Sequence, residues 1–448
     1  MRKINFLAVS LIFVLLVSIF SCKKSDEETE TTEVVPANVF NGSITIYSSG
    51  NDTTLQRFLD GKYNTIKGNL VLSTSDPIDY KKYFVNLEMI KGSVSLYKIP
   101  DNDLSFLSTL RSVLGNFQIS NCPELKSFSG LTALDSIVSA VIVERNPKFT
   151  NFNGLEKILK VSALTVTANP SLVSFSGLQN MVSVTGTVGI YQNPALQSLI
   201  GLTALTTVSG DLIISENPGF TGLTGLANLM EVTGTVALRS LPQLASLTGL
   251  TPVKDTVTSI SLTDCNGLTN LQGLNNIPGI KNDVRIVACK NLQNLVGLAK
   301  IDTLRGVLEL SKLENLESFL GLNGVKYIKK DVRISECNNL VGLSGFSLLD
   351  SIGGNFLVQD NAKLYNFNGF TRTKTIRGKI EILENSLLRS LDGLDSLKNA
   401  RSSLDIYYNA SLTGYCALKK TKLTGTAYIS LNKFSPTWAQ IQAGDCSR

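Results

Sequence analysis

Seven cysteines and no histidine set the chemistry open to this 448-residue chain. Without an imidazole there is no Ser-His-Asp or Cys-His nucleophile, no histidine-ligated zinc and no imidazole general base. The catalytic chemistry that survives is the two-carboxylate kind used by glycosidases. Such a site needs long irregular loops to form a cleft, and no insertion interrupts residues 115–400. The sequence also carries no phosphate-binding loop, no CxxC pair and no calcium-loop pattern. Neither catalysis nor a cofactor or metal is therefore expected. Four cysteines, Cys122, Cys265, Cys289 and Cys337, fall at a position that elsewhere holds Asn146, Asn169, Asn193, Asn217, Asn361, Asn385 and Asn409. An inward Asn both donates to and accepts from neighbouring turn backbones, and a thiol is a small, readily buried substitute with a weak donor. These residues read as one structural column rather than as a metal or redox site.

The column exists because the chain repeats. A glycine followed by Leu or Phe recurs from Gly130 to Gly393, with ten intervals of 24 residues and one of 23. Such a period marks a solenoid, in which each repeat buries its apolar face only against its neighbours. Within a repeat, Leu196, Leu199, Leu202, Leu205 and Val208 come every third residue. An α-helix turns 100° per residue, so a strict step of three leaves its core face within a few steps. The comb instead fits short 3₁₀ turns and brief extended pieces. Gly210-Asp211-Leu212-Ile213-Ile214 then reads as a turn and a short strand, with equivalents at Val188–Ile190, Val236–Leu238, Val284–Ile286, Leu308–Leu310, Val332–Ile334 and Ile380–Ile382. Strands one repeat apart can pair in parallel, each covering the edge of the last.

The Asn/Cys column with leucine spacing resembles leucine-rich repeat proteins. The order glycine, strand, Asn-Pro, then Leu-x-Ser-Leu-x-Gly-Leu is more similar to the receptor L-domain type, because the apolar residues flanking strand and Asn sit one position further out. Phe40-Asn41-Gly42-Ser43-Ile44-Thr45-Ile46 resembles the opening rung of that family, and the resemblance covers residues 40–446. It implies an all-β, right-handed parallel β-solenoid of leucine-rich-repeat or receptor L-domain type, with few or no α-helices. It also implies a binding surface of unspecified ligand. Counting weaker rungs from Gly42, Gly68 and Gly92 and a last one after Gly425 gives about 17 rungs of roughly 24 residues. At about 4.8 Å per strand the stack is roughly 80 Å long.

The ends differ from the repeats. Residues 1–21 read as a secretion signal, with Arg2 and Lys3 before an apolar run from Phe6 to Phe20 that is too short to span a membrane comfortably. Ile19-Phe20-Ser21-Cys22 resembles a lipobox, which implies cleavage before Cys22 and its acylation; more than one acyl chain gives stable anchoring. Residues 22–39 then read as an acidic tether without apolar periodicity. Lys24 followed by Asp26, Glu27 and Glu28 resembles the signal that exports some Gram-negative lipoproteins to the outer leaflet of the outer membrane. Bacterial surface lipoproteins carry arrays of this kind. Residues 40–415 form the solenoid, and 416–448 read as a capping rung in which Cys416 and Cys446, near Trp438, are candidates for a disulfide.

Charge says little about partners. After the first 21 residues, 40 Lys and Arg face 36 Asp and Glu, a net +4, and no aromatic-basic interleaving points to nucleic acid. The informative column is the middle of each strand, where solenoids meet partners. From Ile142 to Ser261 it is small or apolar, flanked two residues on by Glu144, Tyr191 and Arg239; from Arg285 through Glu309 to Arg333 opposite charges alternate. Contiguous apolar surface on an exported protein marks an interaction site, so Ile142, Thr165, Tyr191, Ile213 and Arg239 are the expected ligand-binding face for an extracellular protein or glycan. Two other readings stay open: a structural spacer within the envelope, and a carbohydrate-active enzyme. Asp135-Ser136-Ile137, Asp302-Thr303-Leu304 and Asp350-Ser351-Ile352 also resemble bacterial O-glycosylation sites.

Overall fold

The computed structural model describes residues 38–47 and 53–448. The signal segment, Cys22 and the tether up to residue 37 lie outside the described residues. The first flank strand begins one residue before the expected start of the solenoid at 40: Val39–Phe40 pairs with Thr65–Ile66.

Seventeen strands, from Ile44–Ile46 to Ala427–Ser430, pair in parallel and in chain order to form one long front sheet of sixteen successive turns. Each inner strand pairs with the one before and the one after. No pairing joins the last strand to the first, so the sheet is an open ribbon. Shorter two-residue strands pair on a second side as flank sheets, from Val39–Phe40 to Ser136–Ile137, from Lys160–Val161 to Glu231–Val232, and from Thr303–Leu304 to Lys422–Leu423. Alternate strand residues point inward, as Leu212 and Ile214 do around the half-exposed Ile213.

The comb of leucines is built from tight turns. Leu196 N–H donates to Asn193 O (3.0 Å), Leu202 to Leu199 O (3.0 Å) and Leu205 to Leu202 O (3.1 Å), a run of i→i+3 bonds that keeps every third side chain in the core. The repeating glycine stands where this comb meets the previous rung. Gly201 has φ +109°, and a Cβ there would lie about 2 Å from the Phe175 carbonyl, so no larger residue fits.

At the opposite corner stands the Asn column. Asn169 N–H donates to Asn193 Oδ1 (3.0 Å), and Asn193 N–H to Asn217 Oδ1 (2.8 Å). Asn193 Nδ2 in turn donates to Val166 O of the preceding rung (3.1 Å) and to Tyr191 O (2.8 Å). The four cysteines, all buried and unbridged, take both roles. Cys337 Sγ donates to Leu310 O (3.6 Å) and Ser335 O (3.5 Å), while the N–H groups of Ile99, Leu241, Cys265 and Leu313 face the sulfurs of Cys122, Cys265, Cys289 and Cys337. Burial pushes Cys122 up to about 11 and Cys337 up to about 12. Cys265 is raised first by its hydrogen bond with Cys289 and then by burial.

Three short helices occur among the described residues: α1 (Thr53–Asp60), α2 (Lys81–Phe84) and α3 (Trp438–Ala443). In α1, Leu55 and Phe58 face inward, and Phe58 meets Phe40 edge-on at 5.8 Å. Helix α3 is fixed by a Thr437–Gln440 capping box and by Gly444 in the left-handed region. Cys416 and Cys446 are joined by a disulfide, and Tyr415 N–H donates to Cys446 O (2.7 Å), which holds this cap against the last rungs.

Replacing Asn193 by Ala removes the acceptor of one buried amide and the donor to two carbonyls, and should cost about 3 kcal/mol of stability. Asn193→Cys should cost about 1 kcal/mol, because a sulfur restores both contacts weakly. Denaturant midpoints of the two variants check this order.

Candidate ligand-binding face

The front sheet brings the five expected face residues onto two adjacent columns. Ile142 pairs with Thr165, Thr165 with Gly189 and Gly189 with Ile213, all in one register. Two residues further along the strands, Thr167 pairs with Tyr191, Tyr191 with Ser215 and Ser215 with Arg239. Ile142, Thr165, Tyr191 and Ile213 are half-exposed and Arg239 is exposed, so one surface crosses five consecutive strands.

Two members of the expected outward column are covered instead. Gly189 is buried because the Tyr191 ring folds back over it: a Cβ on Gly189 would lie 2.6 Å from Tyr191 Cε2 and 2.8 Å from its hydroxyl. Ala237, between Ile213 and Ser261 in register, is 1% exposed, its single methyl sunk below longer neighbours. The face therefore has relief: a tyrosine lying flat over a glycine, with Ile213 on the next strand. Burial raises the Tyr191 pKa; Arg239 acts against that shift and Asp211 with it, which places both charges close to the phenol. No signal in the sequence marks this fold-back, which depends on a glycine two residues before a tyrosine.

Further along, the sheet is charged, and its cations are paired. Arg285 binds Glu309 of the next rung (2.5 Å) and Asp283 of its own (3.0 Å), whereas Arg333 pairs with Asp331 of its own rung (3.0 Å). The expected alternation thus becomes one cross-rung pair and two pairs within rungs. Lys379 bridges Glu381 and Asp405, both at 2.8 Å, and these hydrogen bonds, Asp405 first, raise its pKa. Pairs this exposed stabilise little, about 0–1 kcal/mol each, but they leave each of these three cations matched by at least one carboxylate.

Two concavities lie toward the ends of the stack, away from this face. One of about 530 Å³ is lined by Arg389, Ser411, Thr413, Lys433, Phe434 and Arg448, and one of about 400 Å³ by Pro77, Ile78, Asp79, Pro100 and Asp101. Asp101 is raised by burial and then by Asp103 and Asp79. Among the described residues no group of three or more His, Cys, Asp or Glu side chains is placed to hold a metal ion, and no helix is long and apolar enough to cross a membrane. Ser136, Thr303 and Ser351 are half-exposed at the start of flank strands, each followed by a buried aliphatic residue.

With this geometry in hand, comparison with known proteins gives one positive result. The sequence pattern of the receptor L domain family matches residues 62–157, a stretch spanning the front strands from Leu70–Ser73 to Ala140–Glu144. No curated protein matches the chain. The match and the parallel solenoid together support a repeat fold of L-domain kind, one suited to binding a ligand.

Replacing Gly189 by Ala should lift the Tyr191 ring off the sheet without unfolding the protein, since only a side chain must move. The Tyr191 pKa should then fall back toward the ordinary phenol value, because its cause is burial. Site-resolved NMR titration of tyrosine in the variant and the parent measures the shift.

Proposed function

We propose that this chain is a non-catalytic cell-surface binding protein, anchored to the bacterial outer membrane by lipid on Cys22 and facing the exterior, which recognises an extracellular protein or glycan on the front sheet. The observation that carries the reading is the patch Ile142–Thr165–Tyr191–Ile213–Arg239. It is the stretch of the front sheet where apolar side chains, an aromatic ring and an exposed cation share one surface across uninterrupted strands. A rigid surface of this kind meets a partner with little loss of conformational entropy. Aromatic and Arg side chains at the centre of such a patch are the residue types that dominate binding energy. The L-domain match at 62–157 supports a ligand-binding fold. Lipid anchoring and export rest on the pattern around Cys22 and Lys24–Glu28.

A spacer role within the envelope is the competing reading, favoured by the uniform rungs. The two separate on mutation. Ile213→Glu with Tyr191→Glu should abolish capture of the surface ligand, a loss of at least about a hundredfold in affinity, while the unfolding midpoint stays near that of the parent. Retained binding, or a spacer function unaffected by the double change, would remove the front patch from the account.

A further inference from the structure

The flank sheet of the C-terminal half carries cations that the fold does not use. Lys281, Arg305 and Lys329 follow flank-strand positions on three successive rungs, Gly353 interrupts the row, and Arg377 and Arg401 continue it; all five cations are exposed. On the other side of the same short strands, Lys326, Lys374 and Lys398 form a second row, also exposed. The acids in these rows are Asp302 and Asp350. Asp350 holds Lys374 at 2.6 Å, and Lys329 lies over the Tyr327 ring at 4.8 Å. The other six cations, like Lys329, form no ion pair.

Nothing in the architecture requires charge at these positions. From Ser136–Ile137 to Glu231–Val232 the same two rows hold Val138, Ser162, Thr185, Ser209 and Thr233 on one side and Leu159, Val182, Thr206 and Met230 on the other, while the first rungs carry only Lys67 and Lys91 on one side and Arg111 on the other as cations. Several are frankly apolar and exposed: Val138 58%, Leu159 56% and Met230 51%. The rungs stack equally well with either set. Like charges on neighbouring parallel strands repel, which applies to Lys281, Arg305 and Lys329, to Arg377 and Arg401, and to Lys374 and Lys398, whereas Asp302 and Asp350 alternate with Lys326 and Lys374 in the second row. The front sheet of the same half shows the contrast, since Arg285, Arg333 and Lys379 are each matched by carboxylates. Apart from Asp350 on Lys374, no carboxylate forms an ion pair with these rows among the described residues, which leaves the cations open to an external anion.

We propose that the flank rows Lys281–Arg401 and Lys326–Lys398 form a binding track for an acidic polysaccharide, a linear glycan bearing sulfate or uronate groups, laid along the axis of the stack. This surface is separate from the front patch and does not rest on it. The rungs advance about 4.8 Å each, close to the length of one pyranose residue in an extended chain, so acidic sugars can meet Lys281, Arg305 and Lys329 on successive rungs and, beyond the gap at Gly353, Arg377 and Arg401. Nucleic acid fits less well. The phosphates of a duplex wind around its axis away from a straight row, and single strands are held by stacking on aromatic side chains, of which these rows offer Tyr327 alone. Binding driven this way releases counterions and weakens steadily with salt.

The test is a calorimetric titration of the purified full chain with dextran sulfate, polygalacturonate, uncharged dextran and a short DNA duplex over a range of ionic strength. The proposal expects one or both acidic glycans to bind with an affinity that falls with salt, and uncharged dextran not to bind. A triple variant, Arg305→Glu, Lys329→Glu, Arg377→Glu, should lose about tenfold or more in affinity. A control with the same change in net charge placed off the flank rows, Lys126→Glu, Arg145→Glu, Lys312→Glu, should keep most of it. If the reversed triple is poorly folded, Arg305→Gln, Lys329→Gln, Arg377→Gln carries the same comparison. Equal losses in the flank and control triples would overturn the track in favour of net charge. Failure of both acidic glycans to bind, or tighter binding of the duplex, would overturn the ligand class. The sulfated and carboxylated probes distinguish the acidic group preferred.

Discussion

Every rung must hand its buried backbone amides to the next, and the whole molecule is arranged around that obligation. An unpaired amide in the core costs about 1–3 kcal/mol, and a stack of sixteen turns offers many of them. The strands solve the problem along the front by parallel pairing. At the corner after each front strand from Val94–Tyr97 onward, one residue has φ between 51° and 60°, and residues such as Arg145, Gln192, Glu216 and Asp360 turn their N–H toward the strand-end carbonyl of the following rung. The next residue buries its side chain in the Asn/Cys column. A non-glycine residue in that left-handed conformation costs about 1 kcal/mol, and it is tolerated at rung after rung because the hydrogen bonds it permits are worth more. The strict period follows, since a rung of a different length would misplace strand, corner and column together.

Much of this was legible because inward positions are restricted in type. The leucine comb, the strands and the Asn column have one chemistry each, so their recurrence shows directly in the letters. Four members escaped notice. Ile99, Leu241 and Leu313 occupy the column without any polar side-chain atom and therefore look like part of the comb; Asn432 lies beyond the last regular repeat. The left-handed corner was not legible at all, because its side chains point to solvent and range from Ala168 to Tyr408 and Leu431. Only the backbone is constrained there, and the backbone leaves no mark on residue type. Helices α1 and α2 were missed for another reason: in the first rungs aromatic packing among Phe40, Phe58, Tyr80 and Phe84 replaces the comb.

The same distinction applies to the surfaces. Register alone placed Ile142, Thr165 and Ile213 in one column, and periodicity gives register. Relief is a matter of side-chain conformation, so the Tyr191 ring resting on Gly189 needed coordinates. The flank cations were visible as letters, but their meaning required knowing which were paired. A solenoid offers several independent faces on one rigid stack. In our reading the front patch and the flank track are two such faces, one apolar and aromatic, the other cationic.

The central claim, that this solenoid meets its ligands outside the cell, is tested most directly by treating intact cells that carry the full chain with protease while following a periplasmic control protein. The account predicts that the solenoid is released or degraded while the control survives. A solenoid that stays intact until the cells are lysed would contradict it, and would move the protein to a role inside the envelope.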